Sequence, residues 1–282
     1  MNIAALSPLL SDTGADPLDF SLIDRLPAHE AGRGRLVIGA RPGDARPGLL
    51  FVPGAYHGAW CYAHYLAYFA AAGLGCAALD LRGHGALAQD AAFASATIAD
   101  LGQDVADALD ALAGSWVVVG HSMGALPALL AARRRAVAGV VLLAPSPPGD
   151  LPGALALPPV PPAAPRPAPQ AAEIRARFLA TAPDRDVDAV IRRLCAESPE
   201  VLNDRYLLRV AIGDAPFGAP GLCLEAGLDT HDRHPPGQDL AIARRYGFSH
   251  AVLAGQPHCM MYADDWQTSA RAILQWHRAQ FG

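Results

Sequence analysis

From residue 35 the chain alternates short apolar runs with segments of helical spacing, and nothing else in its 282 residues restricts the fold as strongly. "RLVIGARPG" and "GLLFVPG" read as strands punctuated by Gly and Pro, and "AWCYAHYLAYFAAAG" as a helix. "GCAALDLRGHG" gives a further strand and turn, and "TIADLGQDVADALDALAG" has helical spacing with acids early. "SWVVVG", a helix over 124–135 and the strand "AVAGVVLLAPS" continue the series. Parallel strands are joined by crossover helices that cover both faces of the sheet, so their strands become continuous apolar runs. The expected fold class is therefore α/β, with a mainly parallel central sheet and helices on both faces.

The alternation stops at residue 147. "PPGDLPGALALPPVPPAAPRPAP" is too rich in proline for helix or central strand. Three helical patterns follow, "AAEIRARFLATA", "VDAVIRRLCAE" and "PEVLNDRYLLRVAI". A strand returns only at "PGLCLEAGLD", and helix "DLAIARRYG", strand "SHAVLAGQP" and helix "DWQTSARAILQWHRAQF" complete the chain. The spacing divides the protein into a core over 1–146, a helical insertion with a Pro-rich arm over 147–217 and a second core part over 218–282. Residues 1–34 are weakly patterned and read as a short lead-in.

Composition excludes several functions. A net charge of −5 gives no basic field for nucleic acid or an acidic membrane surface. No apolar run approaches the length of a membrane span, and the N-terminus lacks the basic and apolar regions of a signal peptide. The five cysteines are dispersed without a Cys-x-x-Cys pair, which suggests reduced thiols and a cytoplasmic location. All 22 basic residues are Arg, so no mechanism can use a lysine.

The sharpest motif is Gly120-His121-Ser122-Met123-Gly124, a Gly-x-Ser-x-Gly turn between an apolar strand and a helix. Small flanking residues let the backbones approach, and the strained turn lifts the serine hydroxyl above the sheet at a helix N-terminus. With "LLFVPGAYHGAWCY" (49–62) and "LDLRGHG" (79–85), the chain resembles the α/β-hydrolase superfamily over about residues 35–280. It is similar in particular to the methyl esterase and hydroxynitrile lyase branch and its bacterial relatives.

The resemblance implies an α/β-hydrolase fold with a helical cap, Ser122 as nucleophile, and the backbone N–H groups of Ala55 and Met123 as oxyanion hole. Pro53 stands where the family usually has a His, which implies altered loop detail with the hole retained. Chain order in the family is Ser, acid, His, and His258 of "VLAGQPHCMM" matches the base. His57, His84 and His121 fall near the pocket mouth as turn or supporting residues. In "LEAGLDTHDRHPPG" the acid is Asp229 (or Asp232): Asp229 is nearer the strand end, Asp232 resembles a "DRxxP" ending, and Thr230 occupies the ordinary offset. Glu225 belongs within the strand. His231 and His234 share the loop without the partners of a metal motif, so no metal and no cofactor are expected. Arg133, Arg134 and Arg135 complement a helix C-terminus.

The implied function is a cofactor-free serine hydrolase acting on an ester, thioester or lactone. The partner would be a small-molecule acyl substrate, free or carrier-bound. Two alternatives remain at this level. One is a C–C bond hydrolase or lyase on the same residues; the other is a ligand-binding protein on the same scaffold without catalysis. Hydroxynitrile lyases of the resembling branch place Lys after the catalytic His, whereas this chain has Cys259 there.

Overall fold

The computed structural model of the protein describes residues 16–43 and 46–282. Its strands are β1 (Ala28–Ala31), β2 (Gly34–Ala40), β3 (Gly48–Val52), β4 (Cys76–Asp80), β5 (Trp116–His121), β6 (Gly139–Leu143), β7 (Gly221–Ala226) and β8 (Ser249–Leu253). They form one sheet in the order β1-β2-β4-β3-β5-β6-β7-β8. β2 pairs antiparallel with β1 and β4, and all other pairs are parallel. The helices are α1 (Ala63–Ala71), α2 (Ile98–Ala111), α3 (Ala125–Arg134), α4 (Ala171–Glu173), α5 (Asp188–Ile191), α6 (Pro199–Tyr206), α7 (Gln238–Tyr246) and α8 (Gln267–Phe281).

Successive strand residues face opposite sides, and the core divides accordingly. Leu49 and Phe51 of β3 with Val117 and Val119 of β5 pack under α1 and α8. Leu50, Val52 and Val118 face α2 and α3 instead. Each such side chain is wholly buried, which stabilises by about 1.5–3 kcal/mol apiece. α2 starts at a reciprocal cap, with Thr97 accepting from the Asp100 N–H and Asp100 accepting from Thr97. That pairing satisfies two end groups that the helix itself cannot.

Connections from β3 run to β4 on one side and, through it, to β5 on the other. The carboxyl ends of β3 and β5 therefore flank a switch point, where the departing loops diverge and leave a crevice. Those ends lead into Pro53–Tyr56 and Ser122.

Two expectations need correction. Residues 16–34 are more than a lead-in, because β1 forms the sheet edge and Phe20 packs edge-on against Trp60, with ring centroids 4.7 Å apart. The rest of the lead-in lies outside the described residues. The helices of the insertion are also shorter than their patterns. Helix 171–182 becomes one α turn and a π-helical turn, Ile174–Leu179, that stops at left-handed Ala180 (φ 45°). Helix 187–197 keeps only Asp188–Ile191, and 199–212 only Pro199–Tyr206. Tertiary partners take over the backbone groups: Cys195 N–H donates to Tyr56 O (3.1 Å), and Arg166 and Glu197 bond each other. Leu157 N–H donates to Tyr206 O (2.8 Å).

Candidate active site

β5 ends in a turn that few residues could make. Ser122 has φ 52°, the left-handed region, which a non-glycine residue adopts at a cost of about 1–3 kcal/mol. A Cβ on Gly120 would lie 2.7 Å from Ala125 Cα, and one on Gly124 only 2.2 Å from the Pro53 carbonyl oxygen. Both glycines are thus required for α3 and the β3 loop to close on the serine.

His258 follows β8 and is held from two sides. Its carbonyl accepts from His121 Nε2 (3.0 Å), and the next residue, Cys259, donates its N–H to Phe178 O of the insertion (2.9 Å). His258 Nδ1 is 2.5 Å from Asp229 Oδ2, and His258 Nε2 is 2.9 Å from Ser122 Oγ. A carboxylate can only accept, so Nδ1 carries the hydrogen and Nε2 is left to accept from the serine hydroxyl. Asp229 Oδ1 accepts from Thr230 N–H (2.7 Å), and the Asp229 side chain is 8% exposed. Burial pushes its carboxyl up, but the charge and hydrogen bond of His258, with help from His234, hold it below the usual carboxylate range.

The structure thus brings together Ser122, His258 and Asp229 and leaves Asp232 out. Asp232 is exposed on the turn closed by His234 N–H donating to Thr230 O (3.0 Å). Glu225 pairs with His250 (2.9 Å). His57 Nδ1 donates to Ala55 O (2.7 Å) and its Nε2 takes the Tyr262 hydroxyl (2.8 Å). Burial holds His57 down at about 4 and His234 at about 3, and pushes His121 well below the ordinary range. These three imidazoles stay neutral near pH 7 and support the loops around His258.

Asp229, His234 and His258 could each offer one ligand atom to a metal, all within 4.8 Å of one another. Both nitrogens of His258 are already engaged, however, so an ion there would displace Ser122 or Asp229. His231 is exposed. The arginine run is structural: Arg133 stacks over Phe217 at 3.7 Å, and Arg135 pairs with Asp110 at 2.7 Å.

Ala55, Met123 and Ser122 line a cavity of about 570 Å³, whose far wall comes from the Pro-rich arm, from α4 with the π-helical turn after it, and from α6. Its loop is braced by a residue the sequence did not reveal. Glu197, wholly buried, accepts from Tyr56 N–H (3.1 Å), from His84 Nε2 (3.0 Å) and from Ser198 N–H (2.9 Å). Burial lowers His84's basicity, but the Glu197 charge and hydrogen bond outweigh it and raise the pKa. Arg205, also unforeseen, sits on the wall with 4% exposure. Its one sequence signal is spacing: it follows apolar Val201 at i+4, on the buried face of α6.

Among solved structures, the methylesterase protein MES16 from Arabidopsis is similar, with 20% identity and TM-score 0.65 over 81% of this chain and 98% of that one. Tomato methylketone synthase I, complexed with β-ketoheptanoate, shares 16% identity and TM-score 0.66 over 84% and 100%. Est816, described as an N-acyl homoserine lactone degrading enzyme, shares 17% and 0.63 over 88% and 99%. At these identities the likeness is one of fold. No curated protein sequence matches the chain. Residues 49–272, which carry the Ser122 turn, Asp229 and His258, match the alpha/beta hydrolase family, and the chain belongs to that family.

Proposed function

We propose that the protein is a serine hydrolase that cleaves a carboxylic ester, thioester or lactone through an acyl-enzyme on Ser122. The observation that carries this reading is the unbroken hydrogen-bond series from Ser122 Oγ through His258 to Asp229. His258 Nε2 takes the serine proton as Oγ attacks the acyl carbon, and Asp229 stabilises the imidazolium that forms. Ala55 and Met123 N–H groups receive the developing oxyanion; Ala55 N–H has no other partner among the described residues. One such fixed donor is worth roughly 10²–10³ in rate in comparable enzymes. The imidazolium then protonates the leaving oxygen or sulfur, and water activated by the same nitrogen releases the acid. No step requires a cofactor.

Residues 147–217 act as a helical cap in this reading: they roof the cavity and shield the charges that develop around Ser122 from bulk solvent, while single waters still reach the acyl-enzyme. The structural neighbours include a methylesterase and a lactone-degrading enzyme, which agrees with an acyl substrate. Turnover of p-nitrophenyl esters and labelling by a fluorophosphonate probe test the proposal. Both are expected for the native protein and absent for Ser122→Ala. Persistent turnover in that variant, or a folded native protein that neither reacts nor labels, overturns it.

A further inference from the structure

The cavity beside Ser122 is strongly cationic, although the chain as a whole is acidic. Arg166, Arg177, Arg205 and Arg233 line it, against one carboxylate, Glu173, which is bonded to Arg177 in the next helical turn. Asp232 lies close enough to act on Arg177 and Arg233, but from the solvent side. Several half-buried arginines elsewhere are paired with carboxylates: Arg82 with Asp104 at 2.7 Å, Arg245 with Asp150 at 2.7 Å and Arg35 with Asp80 at 2.8 Å.

Arg205 has no such partner, although it is more deeply buried than any of these. It is the most buried of the four, yet its Nη1 bonds only the Leu155 carbonyl, at 3.3 Å, and no carboxylate is within ion-pair reach among the described residues. Burial, together with the nearby charge of Arg233, pushes its guanidinium down to about 10, although the neighbouring Tyr206 opposes this. Arg233 donates from Nη1 to the Tyr206 hydroxyl at 2.8 Å and keeps its other donors for the cavity. A buried guanidinium without a counter-charge is costly, and a second cation facing the same space adds to that cost. An anion between them removes both penalties, and the planar fork of Arg matches carboxylate and phosphate oxygens two at a time.

We propose that the acyl substrate carries an anionic group, carboxylate or phosphate, which Arg205 and Arg233 hold while its ester or thioester carbon lies at Ser122. Pro158, Pro159 and Pro161 of the Pro-rich arm line the same cavity. The arm's fixed backbone makes the distance from anion to scissile bond a selected length. This substrate class rests on the hydrolase reading and narrows it.

Two substrate pairs test the proposal. The p-nitrophenyl monoester of adipic acid is compared with p-nitrophenyl hexanoate, and hexanoyl coenzyme A with the hexanoyl N-acetylcysteamine thioester. A charge-assisted fork predicts kcat/KM higher by roughly ten- to a hundredfold for the anionic member of at least one pair. The first pair reports a carboxylate on the acyl chain, the second a phosphate on the leaving group. Arg205→Gln and Arg233→Gln should each bring the preferred ratio towards one; Arg233 is less buried and serves if Arg205→Gln fails to fold. Equal rates within both pairs, or a ratio unchanged in Arg233→Gln, overturn the proposal.

Calorimetry separates this inference from the hydrolase reading. Free adipate or coenzyme A, whichever matches the preferred pair, should bind Ser122→Ala and lose affinity when Arg233→Gln is added. Binding that survives the added substitution, or no binding to Ser122→Ala, refutes the anion site whatever the fate of the nucleophile.

Discussion

Replacing Asp229 by Asn changes one atom and should remove nearly all activity, for a reason that can be read from its two hydrogen bonds. Thr230 N–H donates to Oδ1 at 2.7 Å, so the amide oxygen of Asn takes that position and its NH₂ turns towards His258 Nδ1, where Oδ2 stood at 2.5 Å. Nδ1 must then accept, which moves the ring hydrogen to Nε2 and leaves no base 2.9 Å from Ser122 Oγ. The imidazolium also loses its counter-charge. The same substitution in a comparable triad lowers kcat by about 10⁴, close to 5 kcal/mol of barrier. Hydrolysis of a p-nitrophenyl ester at about pH 8 measures the effect, with Asp232→Asn as the control. The exposed Asp232 carboxylate does not touch His258 and should change the rate by less than about twofold. Asp229→Asn retaining more than about a tenth of native kcat, or Asp232→Asn losing most of it, would refute the assignment of the acid.

Gly124→Ala should lower kcat by about a hundredfold, because its Cβ would meet the Pro53 carbonyl at 2.2 Å and push the Ala55 loop off the serine. A native rate in a folded variant would mean that the loop gives way freely. Glu197→Ala should destabilise the fold by about 3–5 kcal/mol in urea unfolding, since His84 and Tyr56 N–H lose a buried partner. A loss under about 1 kcal/mol would show the brace to be idle. Stability should also fall as pH drops from about 6.5 to 4, because His57 and His234 stay neutral in the fold while the unfolded chain takes up their protons. His84, whose pKa is raised in the fold, works in the opposite sense at the top of that window and adds no slope once the unfolded chain is also protonated, below about pH 5.5. Urea titrations at several pH values, repeated on His234→Gln, check this; an equally steep acid loss in the variant would remove His234 from the account.

Much of the site is local and was therefore legible in the sequence. Gly120 and Gly124 permit one strained turn, and the apolar runs on either side make it a strand-to-helix junction, so Ser122 could be named from sixteen residues. The His258 position came from the family resemblance, which matched the Gly-x-x-His at the end of a strand. The choice between Asp229 and Asp232 could not be made that way, because only Thr230 and His231 separate them and spacing along a chain does not say which carboxylate turns inward. The turn at Ala226–Asp229 and the bond to Thr230 N–H decide it.

The sequence by itself determined the order of strands and helices, since burial on both faces of a parallel sheet requires apolar runs and capped amphipathic helices. β1 escaped it because an exposed four-residue edge strand has no apolar pattern and takes its pairing from β2. Only the tertiary structure decided which parts of the insertion are helical and what faces Ser122. Backbone groups of residues 195 and 197 bond to distant segments rather than within their expected helix, and those of residues 157 and 166 in the Pro-rich arm also find distant partners. The same folding brings Glu197 under the Ala55 loop and Arg205 to the cavity wall. Their partners lie as much as 141 residues away along the chain, and charge pairing at such separations leaves no periodic trace in a sequence.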